Sequence, residues 1–197
     1  MLFRHRKSHA DEFSGRRIGV VGLGPRNGTT HIAIAISNYL SETGHKRVCL
    51  AECNGHNDLD ELIRSLGASQ KEKWYTYHRV TYIPSFLNGM PMPDIDFDCM
   101  VFDLGRDIDN AMNTIRLCDL KIAVAVDAPW RRGEYAVLNE IEGKRSGLSG
   151  WRLFVNLGNP LLLKKKDDYG MITGCFPFEP DPVFPCHETI SFLEEIL

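Results

Sequence analysis

Short apolar runs rich in β-branched residues alternate along this chain with stretches of helical spacing. This alternation is typical of a mostly parallel sheet that is covered by helices. The runs that we expect to form strands are residues 18–21, 48–51, 82–83, 100–102, 122–126 and 153–155. The sequence therefore predicts an α/β fold with three layers, in which helices flank a mostly parallel sheet.

The segments between these runs carry the signals of helix ends. An amphipathic helix follows the first strand and is expected to stop at Gly44. The next helix is predicted to begin at Asp58, with Glu61 as its capping-box partner, and to stop before Gly67. Further helices are predicted near residues 109–118, 132–142 and 187–197. Strands and helices thus alternate along the chain, as the predicted fold class requires.

The length and composition fit one compact domain. The chain has 197 residues, of which 43% are hydrophobic and 25% charged, and a chain of this size needs neither disulfides nor a structural metal to be stable. We expect a mobile basic tail over residues 1–16 and a single domain over residues 17–197. The proline-rich segments 88–93 and 176–185 are expected to be surface loops. The six cysteines form no C-x-x-C pair, which favours reduced cysteines in a cytoplasmic protein.

Charge and hydropathy argue against several classes of partner. The chain holds 23 basic and 26 acidic residues, a net charge of −3, which argues against a generally basic nucleic-acid binder. Nowhere do 18 apolar residues run together, so neither a transmembrane segment nor a signal peptide is predicted. The last helix is acidic near its end, which argues against peripheral membrane contact. Its apolar residues are expected to pack on the sheet; they are Ile190, Leu193, Ile196 and Leu197.

The loop after the first predicted strand is the first candidate site, because ligands of open parallel sheets bind outside the carboxyl ends of the strands. Residues 22–31 read Gly-Leu-Gly-Pro-Arg-Asn-Gly-Thr-Thr-His. Glycines let successive N–H groups point inward, and the following helix adds the positive end of its dipole, so this loop could cradle an anion. The same residues would also make an ordinary strand-to-helix connection. On the residues alone, both interpretations stay open.

With its glycines and threonine pair, this loop resembles the deviant Walker A motif of the MinD/ParA family of P-loop ATPases. Residues 98–105 are similar to the family's Walker B motif and second switch, and residues 48–54 to the strand that leads to its first switch. The segments 118–130 and 174–177, and the strand ending at Asn156, look like the family's later strands. The segments follow one another in the family's order. The resemblance implies a P-loop ATPase fold and extends to the TadZ-like branch, which has members with atypical P-loops.

The resemblance also implies a site for ATP and Mg²⁺. In such a site, Thr29 would hold the metal with Asp103 behind it. Glu52 and Asn54 are candidate first-switch residues: Glu52 would orient the magnesium shell, and Asn54 stands where the family usually has the aspartate that orients the attacking water. The residues implied to bind the nucleotide are Gly22, Gly24, Arg26, Asn27, Gly28, Thr29, Thr30 and, near the base, Asn156.

Two lysines of the family's motif are missing from this loop. The signature lysine falls at Leu23, and the principal phosphate lysine falls at Gly28. Arg26 is the nearby cation that could partly replace the lost charge, or it could simply be solvated. Removing one preorganised donor slows a reaction on the order of a hundred- to a thousandfold. The sequence therefore predicts that ATP hydrolysis is slow or absent.

We therefore expect a MinD/ParA-like switch protein of the kind used in bacteria, which positions or regulates a cellular assembly through a protein partner. One alternative is a nucleotide-free scaffold that keeps the fold for protein contacts alone. Another is an enzyme acting on a different phosphorylated or acidic substrate. In the family, the signature lysine crosses the interface between two ATP-bound subunits. Leu23 therefore argues against that dimer and leaves open a homodimer that does not need nucleotide.

Two further features have ordinary explanations. Cys49, Cys53 and His56 could suggest a metal site, but the alternation of a strand turns neighbouring side chains to different sides, so core packing explains them better. His31 could meet a phosphate, although a histidine in the first turn of a helix is more often solvated.

Overall fold

The computed structural model describes residues 15–71, 74–86, 96–141, 150–159 and 171–197. The strands in these ranges are β1 (Arg16–Gly22), β2 (Val48–Glu52), β3 (Ser69–Lys71), β4 (Trp74–Tyr77), β5 (Val80–Ile83), β6 (Cys99–Asp103), β7 (Leu120–Val126), β8 (Trp151–Asn156) and β9 (Ile172–Cys175). The helices are α1 (Thr29–Thr43), α2 (Asp58–Leu66), α3 (Ile108–Ile115), α4 (Ala136–Ile141) and α5 (His187–Ile196), and a 3₁₀ helix (Pro129–Tyr135) leads into α4.

The described strands form one sheet in the order β3-β4-β5-β2-β6-β1-β7-β8-β9. All neighbouring strands are parallel except around β4, which is antiparallel to both β3 and β5. Each of the six predicted strands is present, and the mostly parallel sheet that the sequence predicts is confirmed. The hairpin of β3 and β4 was not predicted. It adds short strands at one edge, where β4 is only half-buried and its hydrophobic pattern is correspondingly weak.

β1 lies in the middle of the sheet, and both of its faces are covered. Ile18, Val20 and Val21 are fully buried, as expected for a parallel strand between two helical layers. Val20 belongs to the core cluster that α1, α2 and α5 help to build, whereas Val21 belongs to the cluster with α3 and α4. The predicted three-layer arrangement is therefore confirmed.

The C-terminal helix packs on the sheet, as its apolar pattern predicts. Leu193 is fully buried in the core. Phe192 packs edge-to-face against Phe154 and Phe176, with ring centroids 5.1 and 5.6 Å away. Ile190, Ile196 and Leu197 also pack against this cluster. In the described part of the chain no helix combines the length and the apolarity that crossing a membrane requires.

Two helix predictions need correction. The predicted capping box of Asp58 and Glu61 is wrong. The N-cap of α2 is Asn57, which is in the left-handed conformation and makes no side-chain cap. The Asp58 N–H instead donates to Glu52 Oε1 at 2.9 Å, because the end of β2 brings a carboxylate to the start of α2. The predicted helix at 132–142 is split into the 3₁₀ helix and α4. The predicted stop before Gly67 is confirmed, since Gly67 has φ 61° and its N–H donates to the Ile63 carbonyl.

Some predictions concern residues outside the described ranges. Residues 1–14 of the predicted tail and the predicted loop 88–93 lie there. The division into a tail and one domain therefore stays a prediction, although β1 already begins at Arg16. All six cysteines are free, and Cys49, Cys99 and Cys118 are buried like small apolar residues.

Candidate functional site

The candidate site lies where β1, β2 and β6 end side by side. β2 and β6 are paired so that Glu52 lies next to Asp103. The Gly22 N–H donates to the Gly105 carbonyl at 2.7 Å, and the Leu23 N–H donates to the Val124 carbonyl at 2.8 Å. The loop after β1 is therefore bonded at its start to the loop after β6 and to β7.

The start of α1 depends on Gly28. This residue is the N-cap of α1, with φ 85°, in the left-handed region that favours glycine. A Cβ at Gly28 would also come closer to Asn156 Nδ2 than real side-chain atoms approach. Among the described residues, the N–H groups of Gly28, Thr29 and Thr30 have no hydrogen-bond acceptor. We call these three N–H groups the open amides; N–H groups at a helix N-terminus without a partner in the protein can bind an anion.

Thr30, rather than Thr29, contacts the buried carboxylate at the end of β6. Thr30 Oγ1 donates to Asp103 Oδ2 at 2.7 Å, and Asn54 Nδ2 donates to the same oxygen at 2.9 Å. Thr29 is buried, and its hydroxyl lies against Gly22. Asp103 is fully buried, and burial raises the pKa of its carboxyl group. The pair of Thr30 and Asp103 has the oxygen chemistry that Mg²⁺ prefers.

Two further carboxylates lie beside this pair. Glu52 is fully buried and its Oε2 has no hydrogen-bond partner among the described residues, while burial raises its pKa. Asp58 Oδ2 accepts a long hydrogen bond of 3.4 Å from Thr30 Oγ1. The described residues contain no cluster of three or more His, Cys, Asp or Glu side chains arranged to hold a metal by themselves. A magnesium ion here would take its further ligands from outside these side chains, such as water molecules or phosphate oxygens, as it usually does.

Two arginines border the open amides. A cavity of about 320 Å³ is lined by residues 24 and 26–31 of the loop together with Asp58 and Arg106. Arg26 and Arg106 are both exposed, and neither forms a salt bridge with a described carboxylate. Arg26 has φ 55°, an uncommon conformation for a residue with a side chain. Arg106 was not predicted as a site residue, because its only signal in the sequence is its place three residues after Asp103.

Residues distant in the sequence also form hydrogen bonds with the loop after β1. Arg131 Nη2 donates to the Pro25 carbonyl and to Asn27 Oδ1, and Arg131 Nε donates to Glu134 Oε1 at 2.8 Å. Asn27 Nδ2 donates to the Val124 carbonyl at 3.0 Å and to Glu134 Oε2 at 3.3 Å. The sequence predicts a phosphate contact from the backbone N–H of Asn27, and this contact stays a prediction. The side chain of Asn27 is buried within the protein's own contacts.

The remaining candidate residues have identifiable partners. Asn156 Nδ2 donates to the Asn27 carbonyl at 3.1 Å. Burial lowers the pKa of His31, and the nearby backbone and carboxylate of Glu179 act in the opposite direction. Cys49 is buried in the core. Of the predicted residues, the structure therefore brings Glu52, Asn54, Asp103 and the loop together at one edge of the sheet.

Solved structures with the same fold include nucleotide complexes. A plasmid partition protein from Borrelia burgdorferi bound to AMPPNP has a TM-score of 0.65 and 15% identity, covering 92% of this chain and 95% of its own. The MinD cell division protein of Aquifex aeolicus has a TM-score of 0.64 and 13% identity, with coverages of 91% and 95%. MinD of Pyrococcus horikoshii with Mg-ADP has a TM-score of 0.57 and 14% identity, with coverages of 92% and 93%.

No family model matches the sequence, and no curated protein matches it either. The likeness to the solved structures is therefore one of architecture. The chain has the fold of the MinD/ParA-type P-loop ATPases, and the fold that the resemblance implies is confirmed.

Proposed function

We propose that this chain is a switch protein that binds ATP with Mg²⁺ at the carboxyl end of β1 and hydrolyses it slowly or not at all. The observation that carries this proposal is the group of open amides at Gly28, Thr29 and Thr30, beside the hydrogen bond from Thr30 to Asp103. Backbone amides at a helix start bind phosphate groups, and a hydroxyl with a carboxylate suits a phosphate-bound Mg²⁺. AMPPNP and Mg-ADP are bound by proteins of the same fold.

The conformation of the loop supports an alignment with the P-loop motif, or register, in which each motif position falls one residue later than the sequence alone suggests. In the P-loop motif, the last glycine is followed directly by lysine and then by the serine or threonine that binds Mg²⁺. Gly28, with its left-handed φ, fits that last glycine. Thr29 then stands at the lysine position and Thr30 at the metal position. We propose Thr30 and Asp103 as the residues that hold Mg²⁺, which would neutralise phosphate charge.

The missing lysine charge has two candidate replacements. Arg26 and Arg106 line the cavity of about 320 Å³ beside the open amides, and neither is held by a described carboxylate. A hydrogen bond to a charged group contributes about 1.5–3 kcal/mol. Arginines that reach the phosphates would therefore recover part of the binding energy that the lysine provides elsewhere, but a planar guanidinium does not reproduce its position.

Slow turnover follows from the groups around the site. Asn54 carries no charge, and its amide is already bound to Asp103. It therefore offers no carboxylate to orient a water molecule. Because preorganised charge near the transferred phosphate is the main source of catalysis, we propose that nucleotide binding, rather than turnover, is what the protein uses. Through it the protein would position or regulate a cytoplasmic assembly with a protein partner.

Thermal unfolding with and without ATP and Mg²⁺ tests the proposal. A ligand at 100 times its dissociation constant stabilises the folded state by about 2.7 kcal/mol, so millimolar ATP should raise the melting temperature. Asp103→Asn should remove the magnesium-dependent part of that rise. No shift in the wild type would contradict the proposal and favour the nucleotide-free scaffold.

Two lysine variants test the register. Thr29→Lys should strengthen ATP binding by roughly tenfold to a hundredfold, because it restores an ammonium directly after Gly28. Gly28→Lys should bring no gain, since a side chain there is strained and collides with Asn156. If Gly28→Lys strengthens binding and Thr29→Lys does not, the later register is wrong.

A further inference from the structure

The phosphate-binding loop has few backbone hydrogen bonds to fix its shape. At its start, Gly22 and Leu23 are anchored through their N–H groups, and at its end Ile32 donates to the Gly28 carbonyl. Between these points, residues 24–28 make no backbone-to-backbone hydrogen bond through their N–H groups to the described residues. The shape of the loop must therefore depend on side chains.

Two of those side chains come from the 3₁₀ helix that follows β7, and a third, Asn156 at the end of β8, donates to the Asn27 carbonyl at 3.1 Å. Arg131 bonds two acceptors of the loop, the Pro25 carbonyl and Asn27 Oδ1. Glu134 accepts from Arg131 and from Asn27, and its carboxylate lies against Gly24, where a side chain would collide with it. Only 17% of the Arg131 side chain and 20% of the Glu134 side chain are exposed, so water competes little for these bonds.

We infer that Arg131 and Glu134 act together as a clamp that sets the shape of this loop from outside it, before any ligand is present. Arg131 is a positioning residue, because its guanidinium group donates to loop acceptors and to Glu134 and not to a phosphate. Asn27 is the point that the clamp holds, because its side chain is 1% exposed and both of its polar atoms are bonded. Only the description of the loop as phosphate-binding rests on the proposed function.

The clamp also controls charge at the site. Arg131 neutralises the Glu134 carboxylate beside Gly24. Without Arg131, two loop acceptors lose their donor, and a negative charge next to the loop is left unpaired. Arg131→Met should therefore loosen the loop and oppose phosphate binding, whereas Glu134→Gln removes the negative charge and keeps a side chain of the same size. The two variants should affect ATP affinity differently.

Limited trypsin digestion without nucleotide tests the clamp. Arg26 is an exposed cleavage site within the loop, whereas Lys121 lies in β7 and can be cut only when the protein unfolds globally. We expect cleavage after Arg26 to be about tenfold faster in Arg131→Met, as the loss of one charged hydrogen bond implies, with cleavage after Lys121 unchanged. Arg132→Met is the matched control, because Arg132 is the exposed neighbour in the same 3₁₀ helix, and it should behave as the wild type.

The outcomes separate the clamp from general stability. Unchanged cleavage after Arg26 in Arg131→Met would overturn the inference, and so would equal acceleration after Arg26 and Lys121. If Arg131→Met does not fold, Arg131→Lys replaces it, with the smaller acceleration expected of an ammonium that cannot reach all three acceptors at once.

A fluorescent ATP analogue then gives a second measurement. Its dissociation constant should rise about tenfold in Arg131→Met and should not rise in Glu134→Gln; equal weakening in both would contradict the charge part of the clamp. If the wild type binds no nucleotide, the proposed function fails, while the trypsin result still decides whether the clamp exists.

Discussion

Gly28 is the residue on which the start of α1 most depends, for two separable reasons. Its φ of 85° is strained for any side chain, and a Cβ would collide with Asn156 Nδ2. Gly67 has a similar φ of 61°, but open space lies around it. We therefore predict that Gly28→Ala lowers the free energy of unfolding by about 2–4 kcal/mol and Gly67→Ala by only about 1 kcal/mol. Urea unfolding of the two variants measures this difference, and equal losses would show that the Asn156 contact carries no energy.

Glu52 should make stability depend on pH. Its folded pKa is raised above the ordinary 4.5 by burial, so the folded state holds the proton more tightly than the unfolded state. The favourable contribution of protonated Glu52 is present below pH 4.5 and is lost as the pH rises through the raised pKa. The free energy of unfolding should therefore decline as the pH rises. We predict that Glu52→Gln removes the part of this decline that Glu52 causes, while the glutamine side-chain oxygen can still accept from the Asp58 N–H.

Urea unfolding at several pH values between about 4.5 and 7 measures that decline. The matched control is Glu195→Gln at an exposed position of α5. Asp103, whose pKa burial also raises, contributes a slope of the same sign that remains in the variant. Parallel curves for the wild type and Glu52→Gln would contradict the prediction.

Among the elements, those with a long apolar run could be predicted and those without one could not. β1 and α1 are nearly continuous in buried apolar residues, so their positions follow from the sequence. β4 is half-buried along its length, and the 3₁₀ helix has no buried residue, so neither leaves a clear pattern. The start of α2 escaped prediction for a different reason, because the acceptor for its first N–H comes from β2.

α5 is the element whose packing is most easily tested. Leu193 is fully buried against the sheet, next to the aromatic cluster of Phe154, Phe176 and Phe192. We predict that Leu193→Ala lowers the free energy of unfolding by about 2–5 kcal/mol, because it leaves a cavity in a packed core. Glu195→Ala, on the exposed face of the same helix, should change it by no more than about 0.5 kcal/mol. Urea unfolding with a far-ultraviolet signal distinguishes the two, and a small loss in Leu193→Ala would mean that α5 packs loosely.

In the whole molecule, strand order explains which part of the site could be predicted. Glu52 and Asp103 each end a predicted strand, and parallel strands end at the same edge, so their proximity follows from the sequence once the fold is known. Arg131 could not be placed in this way, because it lies 104 residues from Asn27 and no motif links them. That Thr30 and not Thr29 bonds Asp103 also needed the structure, since both are threonines next to each other in the sequence.

The loop after β1 also bears on whether copies of this chain assemble when nucleotide binds. The lysine that the resemblance places between subunits falls at Gly24 in the later register, where there is no side chain, and at Leu23 in the earlier one, whose side chain is 5% exposed and packs in the core. In neither register does a side chain at that position contact the nucleotide of a second copy. We predict that ATP with Mg²⁺ leaves the sedimentation coefficient of this 22.3 kDa chain unchanged, whatever its oligomeric state, at nucleotide concentrations that raise its melting temperature. Sedimentation velocity with and without nucleotide measures this, with ADP as the control, and a doubling of mass in ATP alone would show that a dimer forms without the lysine.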